Sequence, residues 1–180
     1  MRVITGSAHG KNLITPEGLD VRPTVARVKE AVFSSLQFDI EGRNILDLFA
    51  GSGQIGIEAL SRGAKHCWFV DNSRTSLGAI RNNITNCNLE SKATIVEKDS
   101  FSFIETTNQV FDIVYLDPPY NKCIINRIMP NLVEKMSDYG IIVCEYADKN
   151  ELAENYGEFH LKKTSKYGKI FVSYFKKGED

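Results

Sequence analysis

Strand-like and helix-like segments alternate through the middle of this 180-residue chain, and this alternation limits its fold more than any other feature. Five short apolar runs are bounded by polar or glycine-rich sequence, and most are followed by residues with helical spacing. Such alternation is typical of a parallel sheet covered by helices on both faces. The pattern predicts an α/β fold with strands at residues 44–49, 66–71, 93–96, 111–116 and 140–144.

The two ends of the chain follow a different pattern. Residues 159–163 and 170–175 are β-rich runs with no helix between them, which predicts an antiparallel hairpin at the sheet edge. Residues 3–5 and 12–15 flank a short polar segment and predict a second hairpin at the start. Thr24 is the predicted N-cap of the helix that follows this hairpin.

Composition excludes several classes of protein. With 42% hydrophobic and 25% charged residues, the chain is close to the globular average, which argues against disordered and fibrous classes. No apolar run is long enough for a membrane span, and the start lacks a signal peptide's apolar region, so we expect a soluble, cytoplasmic protein. The four cysteines form no CxxC pair and the three histidines are scattered, so the sequence predicts reduced thiols and no metal site.

The formal net charge of -1 hides an uneven distribution. Residues 1–36 carry five basic and three acidic side chains, and residues 161–180 carry six lysines and two acidic side chains. The segment between them holds 11 basic and 18 acidic side chains. Basic ends around an acidic body indicate an anionic partner held at the edges, although short lysine runs can also be ordinary solvated surface.

A glycine-rich turn joins the first predicted strand to the next helix. Gly51, Gly53 and Gly56 form the GxGxxG pattern, and Asp71 ends the following strand, where a carboxylate can accept ribose hydroxyls. This combination indicates an adenosine-bearing cofactor, which leaves both NAD and S-adenosylmethionine open. Asp47, four residues before Gly51, favours S-adenosylmethionine, because a carboxylate repels a pyrophosphate and attracts a sulfonium.

Two further features lie after the third and fourth strands. Asp99 is either a contact to the adenine amine or an ordinary helix cap. The tetrapeptide Asp117-Pro118-Pro119-Tyr120 ends the fourth strand, at the sheet edge where open α/β folds bind ligands. Its prolines remove two N–H donors and leave an acceptor-rich corner that suits an exocyclic amine, and its tyrosine can stack on a flipped base.

Longer strings carry a family resemblance. The chain resembles the RsmD family, class I S-adenosylmethionine-dependent enzymes that methylate guanine N2 in 16S rRNA, at residues 22–24, 27–33, 46–53, 57–64 and 117–120. The resemblance implies a Rossmann-like, mostly parallel seven-stranded sheet with an antiparallel last strand. It also implies an RNA-contacting hairpin extension at residues 1–21, a methyltransferase domain at 22–180, and assembling 30S subunits as the partner.

The resemblance also implies roles for individual residues. The catalytic residues would be Asp117, Pro118, Pro119 and Tyr120. The cofactor-binding residues would be Asp47, Phe49, Ala50, Gly51, Ser52, Gly53, Asp71, Asp99 and Ser100, and the RNA-binding residues would be His9, Lys11, Arg22 and Arg27. His9 replaces a permanent cation of the family pattern, and Asp71 stands where the longer glutamate is more frequent.

Alternatives from other classes stay open at this point. An amino-methyltransferase acting on adenine N6 in DNA or RNA, or on a glutamine side chain, would present the same amine to the tetrapeptide. An NAD-dependent oxidoreductase would use the same glycine-rich turn. A catalytically silent RNA-binding relative would not need an intact residue 117–120 motif.

Overall fold

One mixed sheet of eight strands organises the computed structural model, which describes residues 1–16, 23–119, 123–147 and 152–178. Five α-helices belong to these residues: α1 (Pro23–Ser35), α2 (Gln54–Ser61), α3 (Arg74–Cys87), α4 (Ser100–Thr106) and α5 (Ile124–Leu132). The strands are β1 (Asn44–Asp47), β2 (His66–Asp71), β3 (Ala93–Glu97), β4 (Phe111–Leu116), β5 (Met136–Tyr146), β6 (Asn155–Tyr156), β7 (Phe159–Tyr167) and β8 (Ile170–Lys177).

The strand order is β3-β2-β1-β4-β5-β8-β7-β6. The first five strands in this order are parallel, which confirms the predicted parallel sheet. The predicted C-terminal hairpin is also confirmed, and its second strand, β8, inserts antiparallel between β5 and β7. The expected count of seven strands was one too low, because the two-residue β6 pairs with the start of β7.

Each face of the sheet covers its own apolar core. Alternate residues of β1 point to opposite faces, so that Ile45 joins one core and Leu46 the other. Phe33 of α1 and Leu60 of α2 are buried in the first core, and Met129 of α5 is buried in the second. The prediction of helices on both faces is therefore confirmed.

The N-terminal hairpin is short and has little regular pairing. Arg2 and Asn12 form a single antiparallel bridge, and the Val3 N–H donates to the Lys11 carbonyl at 3.0 Å. The predicted hairpin is therefore confirmed as a turn with one bridge instead of two strands. The predicted N-cap side chain of Thr24 lies outside the described side chains.

A buried ion network attaches this hairpin to α1 and α2. Glu58 is fully buried, and its two carboxylate oxygens accept the backbone N–H groups of Ile4 and Thr5 at 2.8 and 3.0 Å. The same carboxylate pairs with Lys29 at 3.1 Å and Arg62 at 2.9 Å. Burial lowers the pKa of Lys29, although the charge of Glu58 opposes that shift. The hairpin is thus held to α1 and α2 by charge-assisted hydrogen bonds to a buried carboxylate.

Three observations concern membrane-spanning helices, metal sites and cysteine thiols. None of the described helices is long and apolar enough to cross a membrane. Within the described ranges, no three histidine, cysteine, aspartate or glutamate side chains are placed to hold a metal ion. The four cysteines carry free thiols, of which only Cys123 is exposed.

Candidate active site

Acidic side chains gather at one edge of the sheet. Asp47 and Asp71 end β1 and β2, Asp117 directly follows β4, and Glu145 is the penultimate residue of β5. Because these four strands are parallel, their carboxyl ends lie along the same edge. The structure therefore brings together three predicted site residues and adds Glu145, which the sequence analysis did not identify.

The glycine-rich turn has the backbone that only glycine adopts without strain. Gly51 and Gly53 have φ angles of 55° and 76°, in the left-handed region, and Gly53 precedes the first residue of α2. Glycine is required at position 56 for a different reason: a Cβ there would lie 2.3 Å from Cε1 of Phe69 and 2.6 Å from Sγ of Cys67. The predicted close packing of the helix against the sheet is therefore confirmed.

Asp71 holds the turn in place. Its Oδ2 accepts the Gly51 N–H at 2.8 Å, and its Oδ1 accepts the Ser73 N–H at 2.8 Å. A carboxylate oxygen can accept more than one hydrogen bond, so both oxygens keep acceptor capacity for ribose hydroxyls. Asp71 thus connects the turn to the start of α3, and its contact with the ribose stays a prediction.

Asp47 lies beneath the turn and is only 2% exposed. Its Oδ2 accepts the Gly56 N–H at 3.1 Å. Burial raises the pKa of Asp47 to about 7, the charge of Asp71 adds to this shift, and the Gly56 hydrogen bond opposes it. A cationic ligand above the turn would favour the ionised form, whereas a pyrophosphate would oppose it. The residues present therefore fit S-adenosylmethionine better than a dinucleotide.

The remaining predicted cofactor residues have structural partners. The Ala50 N–H donates to the Val70 carbonyl at 3.1 Å, and the neighbouring Phe49 is half-buried. Asp99 caps α4, with its Oδ1 accepting the N–H groups of residues 101 and 102 at 3.0 and 3.1 Å. The buried Ser100 hydroxyl donates to the Leu48 carbonyl at 2.9 Å. The helix-cap interpretation of Asp99 is confirmed, and adenine contacts by Asp99 and Ser100 stay predictions.

Asn83, which no sequence pattern indicated, joins the N-terminal segment to the cofactor turn. It is 1% exposed; its Nδ2 donates to the Ser52 carbonyl at 2.9 Å and to the Ile14 carbonyl at 2.8 Å. Its Oδ1 accepts the Ile14 N–H at 2.7 Å. An asparagine in a polar-faced helix carries no sequence signal of such a role, which depends on segments far apart in the chain.

The proline corner after β4 is an acidic environment. Asp117 is partly exposed, Pro118 is buried and Pro119 is exposed, while Tyr120 lies outside the described residues. Burial raises the pKa of Asp117 well above its usual range, and the nearby charges of Glu145 and Asp47 raise it further. In its ionised form this carboxylate can accept the N–H groups of an amine, and its raised pKa makes it a stronger acceptor of the amine's proton.

Glu145 is fixed by a neighbouring tyrosine. The Tyr115 hydroxyl donates to Glu145 Oε2 at 2.5 Å, and both side chains are buried. Burial, followed by the charges of Glu145 and Asp117, raises the pKa of Tyr115 well above its usual range, so the hydroxyl stays a donor. The only sequence signal was a glutamate near the end of an otherwise apolar strand.

The predicted RNA-binding residues are exposed or lie outside the described residues. His9 and Lys11 are exposed on the N-terminal hairpin, and Arg27 is exposed on α1. Arg22 lies outside the described residues. The structure places none of the three described residues in the acidic edge, so their role in RNA binding stays a prediction.

Comparisons with known proteins agree with this geometry. A family model described as "Conserved hypothetical protein 95" matches residues 1–176. The chain is 34% identical to YlbH of Bacillus subtilis, over 98% of this chain and 99% of YlbH. It is 31% identical to ribosomal RNA small subunit methyltransferase D of Escherichia coli K12, over 84% of this chain and 77% of that protein.

A solved structure shows the same fold. The Escherichia coli protein yhhF superposes with a TM-score of 0.90 at 27% identity, covering 100% of this chain and 99% of that one. The family model spans nearly all of the sequence, and the two relatives exceed 30% identity over most of it. The chain therefore belongs to the RsmD family of S-adenosylmethionine-dependent methyltransferases, as its residue motifs indicated.

Proposed function

We propose that the protein transfers a methyl group from S-adenosylmethionine to the N2 amine of a guanine in 16S rRNA, within the assembling 30S subunit in the cytoplasm. The observation that carries this proposal is the acceptor-rich corner at Asp117 and Pro118, on the same sheet edge as the glycine-rich turn. The relatives named small subunit methyltransferase D support rRNA as the substrate.

The proposal also assigns separate roles to two segments of the chain. Residues 1–21 form an extension that contacts RNA, and residues 22–180 form the methyltransferase domain. The charge distribution supports it, because the first 36 residues and the last 20 are basic and the segment between them is acidic. Phosphates would be held away from the acidic edge that receives the base.

The side chains at the edge have separate tasks in the reaction. Gly51, Gly53 and Asp71 hold the cofactor, which supplies a methyl group on a positively charged sulfur. The Asp117 carboxylate and the Pro118 carbonyl accept the two N–H groups of the guanine amine, which turns the nitrogen lone pair toward the methyl group. The N–C bond would form as the methyl–sulfur bond of S-adenosylmethionine breaks, with S-adenosylhomocysteine as the leaving group. The amine nitrogen thereby becomes acidic, and its proton passes to the Asp117 carboxylate. Tyr120 stacks on the base.

Cofactor affinity is expected to depend on pH through Asp47. In the free protein its pKa of about 7 means that it is partly protonated at neutral pH. A bound sulfonium favours the carboxylate, so binding below pH 7 must displace a proton and the affinity should fall by up to about tenfold per pH unit. Calorimetric titrations with S-adenosylmethionine from pH 5.5 to 8 measure this dependence.

Two controls isolate the charge of the cofactor and the carboxylate. S-adenosylhomocysteine lacks the sulfonium charge and should show a smaller fall in affinity over the same pH range. Asp47→Asn should bind S-adenosylmethionine with a flatter pH profile, since it removes the titrating group. If the variant keeps the wild-type profile, Asp47 is not the group that couples binding to pH.

The basic N-terminal residues are expected to contribute to RNA binding. Replacing Lys11, Arg22 and Arg27 together with alanine should weaken binding to 16S rRNA and lower the slope of log K against log salt by about 2. Replacing Lys65, Lys92 and Lys135 together is the comparison, because it removes the same number of positive charges from the acidic middle segment and should leave the slope unchanged. Equal slopes for the N-terminal triple variant and the wild type would show that the N-terminal edge does not hold the RNA.

A panel of acceptors tests the proposed substrate. The protein would be incubated with methyl-labelled S-adenosylmethionine and with unmodified 30S subunits, free 16S rRNA or duplex DNA. We expect transfer to 30S subunits above that to free rRNA, and none to DNA. Transfer to DNA alone would keep the amine chemistry and overturn the substrate.

A further inference from the structure

We propose that Glu145 determines base specificity by accepting the N1–H of guanine while Asp117 holds the adjacent N2 amine. This inference rests on the proposed function, because it concerns the same base in the same site. It gives a task to a buried carboxylate that neither cofactor binding nor the transfer step uses.

Sheet register places Glu145 beside Asp117. β4 and β5 are parallel neighbours, and their last register pair is Leu116 with Cys144. Asp117 and Glu145 are the next residues on the two chains, where neighbouring backbones are about 4.8 Å apart. Asp117 and Glu145 each lie two residues beyond the register pair Tyr115 and Val143, whose side chains face the core beneath α1 and α2. Because side chains alternate along a strand, Asp117 and Glu145 face the same side of the sheet. The two carboxylates therefore lie side by side on one face of the sheet.

The hydrogen bond from Tyr115 fixes the Glu145 carboxylate. The tyrosine is 3% exposed and the glutamate 5% exposed, so neither side chain can turn freely into solvent. The Tyr115 hydroxyl is one donor to this carboxylate, and a carboxylate offers about four acceptor positions in all. A rigidly held carboxylate is what recognition of a donor on a flat base requires.

The chemistry of the bases decides which one fits. Guanine presents N1–H next to its N2 amine, so two adjacent carboxylates find only donors on this edge. Adenine and cytosine present a ring nitrogen lone pair next to their amine, which a neighbouring carboxylate repels. A site that hydrogen-bonds a substrate N–H can reject an analogue lacking it by about 10⁴-fold. The pair therefore favours guanine among the amine-bearing bases.

Purine analogues test this inference directly. Once the methylated guanine is located, 30S subunits would be reconstituted with 2-aminopurine or 2,6-diaminopurine at that nucleotide. Both analogues keep the amine and replace N1–H by a lone pair. The wild type should methylate guanine at least about 100-fold faster than either analogue. In Glu145→Gln this ratio should fall below about tenfold, because the amide can turn its NH₂ toward the lone pair.

Two further variants keep the test decisive. Tyr115→Phe releases the carboxylate without removing it and should also reduce the ratio, so it serves if Glu145→Gln does not fold. Glu97→Gln alters an exposed carboxylate at the end of β3 and should keep the wild-type ratio. S-adenosylmethionine affinity should be unchanged in Glu145→Gln.

The outcomes separate this inference from the proposed function. If the wild type methylates no guanine, the proposed function fails. If it methylates guanine and Glu145→Gln keeps the full discrimination against both analogues, only the role of Glu145 is overturned. A wild type that does not discriminate against the analogues overturns it as well.

Discussion

Replacing Asp117 with alanine is expected to slow methyl transfer by about 10³-fold and to leave the affinity for S-adenosylmethionine within about threefold of the wild type. The carboxylate both orients the amine and takes its proton, and Pro118 and Pro119, the described residues that follow it, have no side chain that could take the proton. Cofactor binding depends instead on the turn and on Asp71, whose carboxylate accepts the N–H groups of Gly51 and Ser73. Single-turnover rates with 30S subunits and calorimetric titration of the cofactor measure the two effects separately.

Two substitutions serve as comparisons for this variant. Asp117→Asn keeps an oxygen that accepts one N–H but cannot take the proton, so its rate should lie between those of wild type and Asp117→Ala. Asp138→Ala removes an exposed carboxylate near the amino-terminal end of β5, away from the carboxyl ends of the strands where the site lies, and should not alter the rate. Equal losses of cofactor affinity and methyl transfer in Asp117→Ala would contradict the assignment of Asp117 to the amine.

The second large effect is expected at Glu58. Glu58→Gln leaves the 2%-exposed Lys29 without its counterion, and breaking one partner of a buried ion pair costs about 3–5 kcal/mol of the free energy of unfolding. For a chain of this size such a loss corresponds to a melting temperature lower by about 10 °C. The N-terminal hairpin should also loosen, because Glu58 accepts the N–H groups of Ile4 and Thr5.

The loss of stability in Glu58→Gln should depend on pH. Burial lowers the pKa of Lys29 in the folded protein, and removing Glu58 lowers it further, so the folded state comes to favour a neutral amine. Stability of the variant should then rise with pH, because the unfolded state binds more protons. Glu30→Gln makes the same charge change at an exposed position of α1 and should shift the melting temperature by less than about 2 °C. Equal shifts in the two variants would show that the buried network does not anchor the hairpin.

Local patterns in the sequence predicted most of the fold and the outline of the site. Apolar runs mark the buried parallel strands, and the left-handed glycines mark the turn above Asp47, because both features depend on neighbouring residues. The start of β5 was missed because Ser137, Asp138 and Gly140 are polar or small and interrupt the apolar pattern. Their extended backbone depends on contacts to other strands, such as the Ser137 hydroxyl donating to Asp112 at 2.8 Å.

The residues that sequence reasoning missed act through distant partners. Glu58 lies on a helix, where a glutamate is usually solvent-exposed, yet the folded chain brings Lys29 and the N-terminal backbone to it. Asn83 connects segments that are 69 and 31 residues away along the chain. Glu145 lies beside Asp117 only because of the register between β4 and β5. Periodicity and motif spacing cannot show such contacts, because they describe one segment at a time.

The identity of the modified nucleoside tests the central claim most directly. Unmodified 30S subunits would be incubated with the protein and S-adenosylmethionine, the rRNA digested, and the methylated nucleosides separated from their isomers and identified by mass. We predict N2-methylguanosine as the product, absent from a parallel reaction with Asp117→Ala. N1- or N7-methylguanosine, or a methylated adenosine, would contradict the claim that the Asp117 corner receives the guanine N2 amine.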